Sequence, residues 1–347
     1  MNLRRHLLLP GLLTCALSGL GHPGASAALT VFDAPPGASA IYPTSINATG
    51  DVAGYYFANG SSGFVLYASA AAVTPFSLYA CPGCESSLDV WGINASDMIV
   101  GDGYFPPGST SSKAFLCAAP CTSVTEIDVP GSGVVSAPAL NASGVVAGSW
   151  SSSKSPSHAF GFVRSAGGVI TKFQVPKPSS TVTVVVTQPS AVNGSGDIAG
   201  TFVDSTNAYH VFVRGVRGGI VTYDVPGSTN ITVTGINNRG EIVGHYYDGT
   251  NSHGFLITRS SGGTSVKTFD YPGATGTAPS AVNAGGTIVG YYYVGSGPLQ
   301  AFELDAAGNF SNLAIAGATT VVAMSINDTG SITGFFTDAI GYHGFIL

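Results

Sequence analysis

Ile236-Asn237-Asn238-Arg239-Gly240-Glu241-Ile242-Val243-Gly244-His245-Tyr246-Tyr247 is the stretch from which the rest of the chain can be read. It has the form I-N-x-x-G-x-I-x-G-x-Y, and the sequence repeats it. The asparagine recurs at Asn47, Asn94, Asn141, Asn193, Asn237, Asn283 and Asn327, with spacings of 47, 47, 52, 44, 46 and 44 residues. Self-similarity at a period of roughly 40–50 residues is the signature of propellers and repeat arrays.

Each half of the unit has a local cause. An apolar residue and Asn end one strand. Asn-x-x-Gly then makes a tight turn, because Asn bonds its own backbone and Gly accepts positive φ. In the strand that follows, Ile242, Gly244 and Tyr246 point to one face and Val243, His245 and Tyr247 to the other. A glycine inside a strand weakens it unless something needs the room. Here it recurs as Gly54, Gly101, Gly148, Gly200, Gly244, Gly290 and Gly334. A neighbouring backbone or ring is therefore expected against each.

A second signature follows a variable loop: His253-Gly254-Phe255, with counterparts Gly63-Phe64, Ala114-Phe115, Ala159-Phe160, Val211-Phe212, Ala301-Phe302 and Gly344-Phe345. A fourth short run ends in Pro-Gly, as in Phe269-Asp270-Tyr271-Pro272-Gly273 and Tyr223-Asp224-Val225-Pro226-Gly227. No stretch has the apolar stripe of a ten-residue helix. Four strands per unit and seven units predict an all-β fold, a seven-bladed β-propeller of four-stranded blades. The seventh unit stops at its third strand, Phe345-Ile346-Leu347. The matching fourth strand lies near the start, in Leu29-Thr30-Val31-Phe32-Asp33, so the N-terminal strand is expected to complete the last blade and close the ring.

Residues 1–27 read as a secretory signal peptide, with Arg4 and Arg5, an apolar run from Leu7 to Leu20, and Ala25-Ser26-Ala27 as the cleavage site. Residues 28–347 then form a single propeller domain, expected to be a monomer in the extracellular space or periplasm. No other stretch is apolar enough to span a bilayer. Charged residues are 9% of the chain and the net charge is −6, which leaves no basic patch for nucleic acid.

Export favours disulfides. The two close cysteine pairs, Cys81-Pro82-Gly83-Cys84 and Cys117-Ala118-Ala119-Pro120-Cys121, are expected to bridge locally. The competing readings are a redox C-x-x-C, which wants a βαβ setting absent here, and a four-thiolate zinc site across adjacent blades.

The repeat pattern, with His-Ala-Phe at 158–160 and His-Gly-Phe at 253–255 and 343–345, resembles the bacterial HAF-repeat extracellular proteins over essentially the whole mature chain. The resemblance implies an exported protein and assigns it no activity.

The remaining chemistry is sparse. Asp204 with His210, Asp248 with His253 and Asp338 with His343 could each bind a metal or move a proton across a hairpin, and Ser157 precedes His158. They recur once per unit, however, and a catalytic site needs one convergent set. They are read as decoration, with the histidines in equivalent places. Asp33, Asp128, Asp224 and Asp270 are read as strand-end turn residues. The acids outside the repeat include Glu85, Asp89 and Asp102, which cluster in the second unit and are the candidate ligand or ion site. There is no G-x-S-x-G, no H-E-x-x-H and no phosphate loop. No catalytic residue, cofactor or metal ligand is assigned. The expected role is a non-enzymatic binding or scaffold module for carbohydrate or protein. The alternative is a polysaccharide-active hydrolase or lyase with its site at the central channel mouth.

Overall fold

The computed structural model describes residues 13–15, 28–58, 60–77, 87–104, 109, 111–260 and 263–347. Every regular element among them is a β-strand, and the architecture is an all-β propeller. No helix among the described residues is long and apolar enough to cross a membrane.

The Asn turn builds each repeat from the inside. In repeat five the innermost strand, Asn230–Ile236, pairs with Ile242–Tyr247 across the turn, and Ser252–Ser260 and Gly263–Phe269 follow outward. The Asn237 Oδ1 accepts the Arg239 and Glu241 backbone N–H groups, both at 3.0 Å, and Gly240 takes φ 76°. Repeat two has Asp97 where the others have glycine, and it holds φ 55°, a conformation that favours Asn, Asp and Gly.

The other end of each asparagine makes the ring. Its Nδ2 donates to the main-chain carbonyl of the next asparagine, from Asn47 to Asn94, Asn141, Asn193, Asn237, Asn283 and Asn327, and from Asn327 back to Asn47. These bonds span 2.9–3.3 Å and close a circuit of buried side chains. The innermost strands pack in the same order, each against the next, and Thr320–Ile326 of repeat seven against Ala40–Ile46 of repeat one.

The recurring glycines sit where expected. A methyl on Gly244 would overlap the Thr232 carbonyl oxygen and lie 2.7 Å from the Phe255 ring. The same pair of obstacles, a carbonyl five residues before Asn and the ring of the second signature, meets Gly54, Gly101, Gly148, Gly200 and Gly334. The phenylalanines opposite these glycines and Gly290 are all fully buried, and apolar clusters fill the space between successive repeats.

Two expectations about the frame are corrected. The strands do not form seven separate four-stranded blades. Among the described residues they form six hydrogen-bonded sheets, of which five are single blades. Four of those have four strands. The fifth joins the chain ends in the order Leu13–Cys15, Leu29–Phe32, Tyr342–Ile346, Ile332–Thr337 and Thr320–Ile326, with Thr30 opposite Ile346, Val31 opposite Phe345 and Phe32 opposite Gly344. The sixth sheet runs repeats three and four together through a parallel bridge from Ala159 to Val186. The two strands that meet there are long. Ser155–Arg164 and Val184–Val192 have 10 and 9 residues and overlap in the longest repeat interval.

The register of repeat three is the second correction. Gly148 faces Phe162, whereas Phe160 stacks on Trp150, so Gly161-Phe162 rather than Ala159-Phe160 is the counterpart of Gly254-Phe255. His158 is therefore not equivalent to the other repeat histidines.

Candidate functional site: the acidic and aromatic sector of the inner ring

Five residues before each asparagine the innermost strand presents one side chain beside a partner on the second strand. The pairs are Tyr42–Tyr55, Asp89–Asp102, Ser136–Ser149, Gln188–Thr201, Thr232–His245, Ala278–Tyr291 and Val322–Phe335. At about 3.3 Å per residue this layer lies roughly 16 Å from the asparagine circuit, toward the opposite end of the ring. The second-strand residue reaches the next repeat. Phe335 stands edge-on to Tyr42 at 5.0 Å, and Asp102 bonds Ser136.

Repeat two is the only place where carboxylates enter this layer. Asp102 is buried, and its Oδ2 accepts Ser136 Oγ at 2.6 Å and the Ala137 backbone N–H at 3.3 Å, with a further hydrogen bond from the Trp91 side chain. Burial raises its pKa above the ordinary carboxylate value, and the bonds from Ser136, Trp91 and Ala137 offset only part of that rise. Asp89 is half-buried, and its pKa is raised first by burial and then by the neighbouring Asp102 charge. The Tyr55 phenol is raised by burial and by the charge of Asp89.

Aromatic rings adjoin the acids. Tyr42 lies 5.3 Å from Tyr55, 5.8 Å from Phe57, 5.0 Å from Phe335 and 5.6 Å from Tyr342. Burial, a hydrogen bond with Tyr342 and the charges of Tyr342 and Tyr55 push the Tyr42 phenol up to about 12. The edge of this cluster is open, with Phe57 41% exposed and Tyr342 38%, while Trp91, 37% exposed, stands apart from it as the partner of Asp102. The structure thus brings Asp89 and Asp102 together as the sequence suggested. Glu85, Cys81 and Cys84 lie outside the described residues. Cys117 and Cys121 are disulfide-bonded.

The histidines do not converge. His210 Nδ1 is 2.6 Å from Asp224 and Nε2 3.4 Å from Asp204. His253 bridges Asp270 at 2.9 Å and Asp248 at 3.3 Å. His343 bridges Asp33 at 2.6 Å and Asp338 at 3.2 Å. Each ring lies against the cross-strand aromatic, Phe202, Tyr246 or Phe336. Asp33, Asp224 and Asp270 are thus histidine partners, which corrects their reading as turn residues. The signal was available: Phe or Tyr followed by Asp occurs just where the third strand carries His. Among the described residues no three His, Cys, Asp or Glu side chains are grouped to hold a metal.

No family model matches the sequence, and no curated protein does. Solved structures do match. A prolyl endopeptidase is similar at 12% identity over 86% of this chain and 45% of its own, with a TM-score of 0.62. The β-propeller domain of the trilobed protease from Pyrococcus furiosus, described as having an open velcro topology, is similar at 9% identity over 89% of this chain and 94% of that domain, with a TM-score of 0.58. Puromycin hydrolase is similar at 13% identity over 86% of this chain and 50% of its own, with a TM-score of 0.56. The chain spans about half the length of the first and third. At this identity the likeness establishes the fold. It also corrects the functional expectation. The neighbours are peptidases and hydrolases of that kind, and nothing among them supports a non-enzymatic carbohydrate- or protein-binding module or a polysaccharide-active enzyme.

Proposed function

We propose that this chain is an exported propeller of peptidase type, which admits extended peptides to a hydrolytic domain. The observation that carries the reading is the fold match, over 86–89% of the chain, to propellers of peptidases. The sequence has no G-x-S-x-G, so the nucleophile is assigned to a companion domain rather than to the ring. The ring supplies the selecting surface. Ser136, Ser149, Thr201, Thr232, Ala278 and Val322 make part of its inner layer small and neutral, which suits passage of a main chain, and the acids are confined to the sector around Asp89. Export rests on residues 1–27, and the HAF-like copies in repeats five and seven favour the HAF-repeat group of extracellular proteins.

The test uses the mature chain and fluorescently labelled unstructured peptides of 5 to 20 residues, with oligosaccharides of matched size as competitors. Saturable anisotropy change with the peptides, unaffected by the sugars, is expected. No binding of any peptide at millimolar concentration overturns the reading. N-terminal sequencing of the exported protein should return a chain starting at Ala28.

A further inference from the structure

We propose that the outer edge of Leu29–Phe32, once residues 1–27 are removed, pairs with the same edge of a second copy of this chain, the two rings joining across a two-fold axis at Thr30. This contact is independent of peptide admission and rests only on the loss of the leader. Leu29–Phe32 is held on its inner side by Tyr342–Ile346. On its outer side it carries a further antiparallel strand, Leu13–Cys15, with Leu13 opposite Val31, Thr14 opposite Thr30 and Cys15 opposite Leu29. That strand lies within the expected leader, so cleavage after Ala27 uncovers a row of main-chain donors and acceptors.

The outermost strands of the other six repeats differ. Among the described residues none of them pairs with a further strand. Four carry the residues that blunt an edge: Pro75 in Thr74–Phe76, Glu126 in Val124–Ile127, Lys172 in Ile170–Phe173 and Lys267 in Gly263–Phe269. Leu29-Thr30-Val31-Phe32 has neither charge nor proline. Leu29 and Phe32 are buried in the apolar clusters that flank the closing blade, which holds the edge extended before any partner arrives and lowers the ordering cost of pairing.

The seated strand shows which partner fits. Its sequence, Leu13-Thr14-Cys15, differs from Leu29-Thr30-Val31 in the last residue alone. A second copy laid in its place sets Leu29 opposite Val31, Thr30 opposite Thr30 and Val31 opposite Leu29. This register reads the same from either strand, which is the condition for an isologous pair about a two-fold axis. Main-chain hydrogen bonds supply the affinity, as in other strand additions. A contact this short is small, so the pair is a concentration-dependent equilibrium rather than a permanent assembly. It departs from the monomer expected from the sequence. In the uncleaved chain the leader occupies the edge and keeps the second copy away.

Sedimentation equilibrium compares the chain begun at Ala28, made directly so that cleavage is not presupposed, with the uncleaved chain of residues 1–347. The shorter chain is expected to self-associate reversibly toward a dimer, and the uncleaved one to stay monomeric at the same concentration. Thr30→Lys sets two ammonium groups opposite one another and should weaken the dimer about fivefold, the scale of one unfavourable cross-strand pair. Mixing it with Thr30→Glu should restore association, because the register pairs residue 30 with itself. Should either variant fail to fold, Thr30→Cys gives the same readout. Directly opposed Cα atoms lie about 4.5–5.5 Å apart, within reach of a disulfide, so Thr30→Cys should cross-link two copies under oxidation and Val31→Cys far less. A shorter chain that stays monomeric overturns the proposal, and so does a dimer that the leader or Thr30→Lys leaves unchanged. A monomeric chain that instead binds a peptide of residues 11–17 assigns the edge to the leader alone and overturns it as well. None of these outcomes bears on peptide admission.

Discussion

His343 Nδ1 lies 2.6 Å from Asp33 Oδ1, although 310 positions separate the two residues. The contact sits where Leu29–Phe32 pairs with Tyr342–Ile346, so a side-chain bond and a strand pairing together join the chain ends. Deleting residues 28–34 removes both and uncovers Phe345. The whole ring should then lose stability in one transition rather than fray at one end. Each main-chain bond contributes only about 0.5–1.5 kcal/mol net, but apolar burial is lost with them. Calorimetry of the deletion variant checks this. An unchanged melting temperature would count against cooperative closure.

His253 gives a pH dependence of definite sign. Burial alone would lower the His253 pKa, but the bonds and charges of Asp270 and Asp248 outweigh it and leave the pKa raised. A raised folded pKa contributes stability that is full below the unfolded value, near 6.5, and is lost as pH rises through the folded value. His253→Ala should therefore cost more stability at pH 5.5 than at pH 8.5. The pair is partly exposed, so the difference should stay below about 1 kcal/mol. Urea titrations at the two pH values measure it.

The asparagine circuit should be costly to break anywhere. Asn237→Ala removes the Nδ2 bond to the Asn283 carbonyl and leaves the Arg239 and Glu241 N–H groups without their acceptor. Each buried polar group left unpaired costs about 1–3 kcal/mol. A loss in that range or above is expected from chemical unfolding. Alanine at both Asn193 and Asn237 should be less destabilising than the sum of the two single changes, because the first already opens the circuit.

Glycine and phenylalanine exchange in a predictable way on the outer strands. A methyl on Gly254 would lie 2.5 Å from the Phe269 ring. Where alanine holds the equivalent place, its outer-strand partner is smaller, as in Ala114 with Ile127 and Ala301 with Leu313. Gly254→Ala should cost about 1–3 kcal/mol through overpacking, and Phe269→Leu in the same chain should recover much of it. Gly244→Ala has no such rescue, since the obstacle is the Thr232 carbonyl, and should abolish folding or nearly so. Thermal melts of the three variants decide the point.

The sequence by itself determined the all-β propeller, the turn chemistry of Asn-x-x-Gly, the crowded glycines and the local Cys117–Cys121 bridge. Each of these follows from short-range geometry that repeats, so several copies speak for one cause. Tertiary structure decided the rest. The Asn237 carboxamide has two ends, and only the ring shows that one of them bonds Asn283 in the next repeat. Whether the sheets stay separate depends on a single bridge, Ala159 to Val186, between strands of unusual length. The partnership of Asp33 with His343 exists only once the ends meet. Asp89 and Asp102 stood out in the sequence as acids outside the repeat. Their opposition across one ladder follows from the strand register within repeat two, whereas the capture of Asp102 by Ser136 arises from packing between repeats, which no single unit encodes.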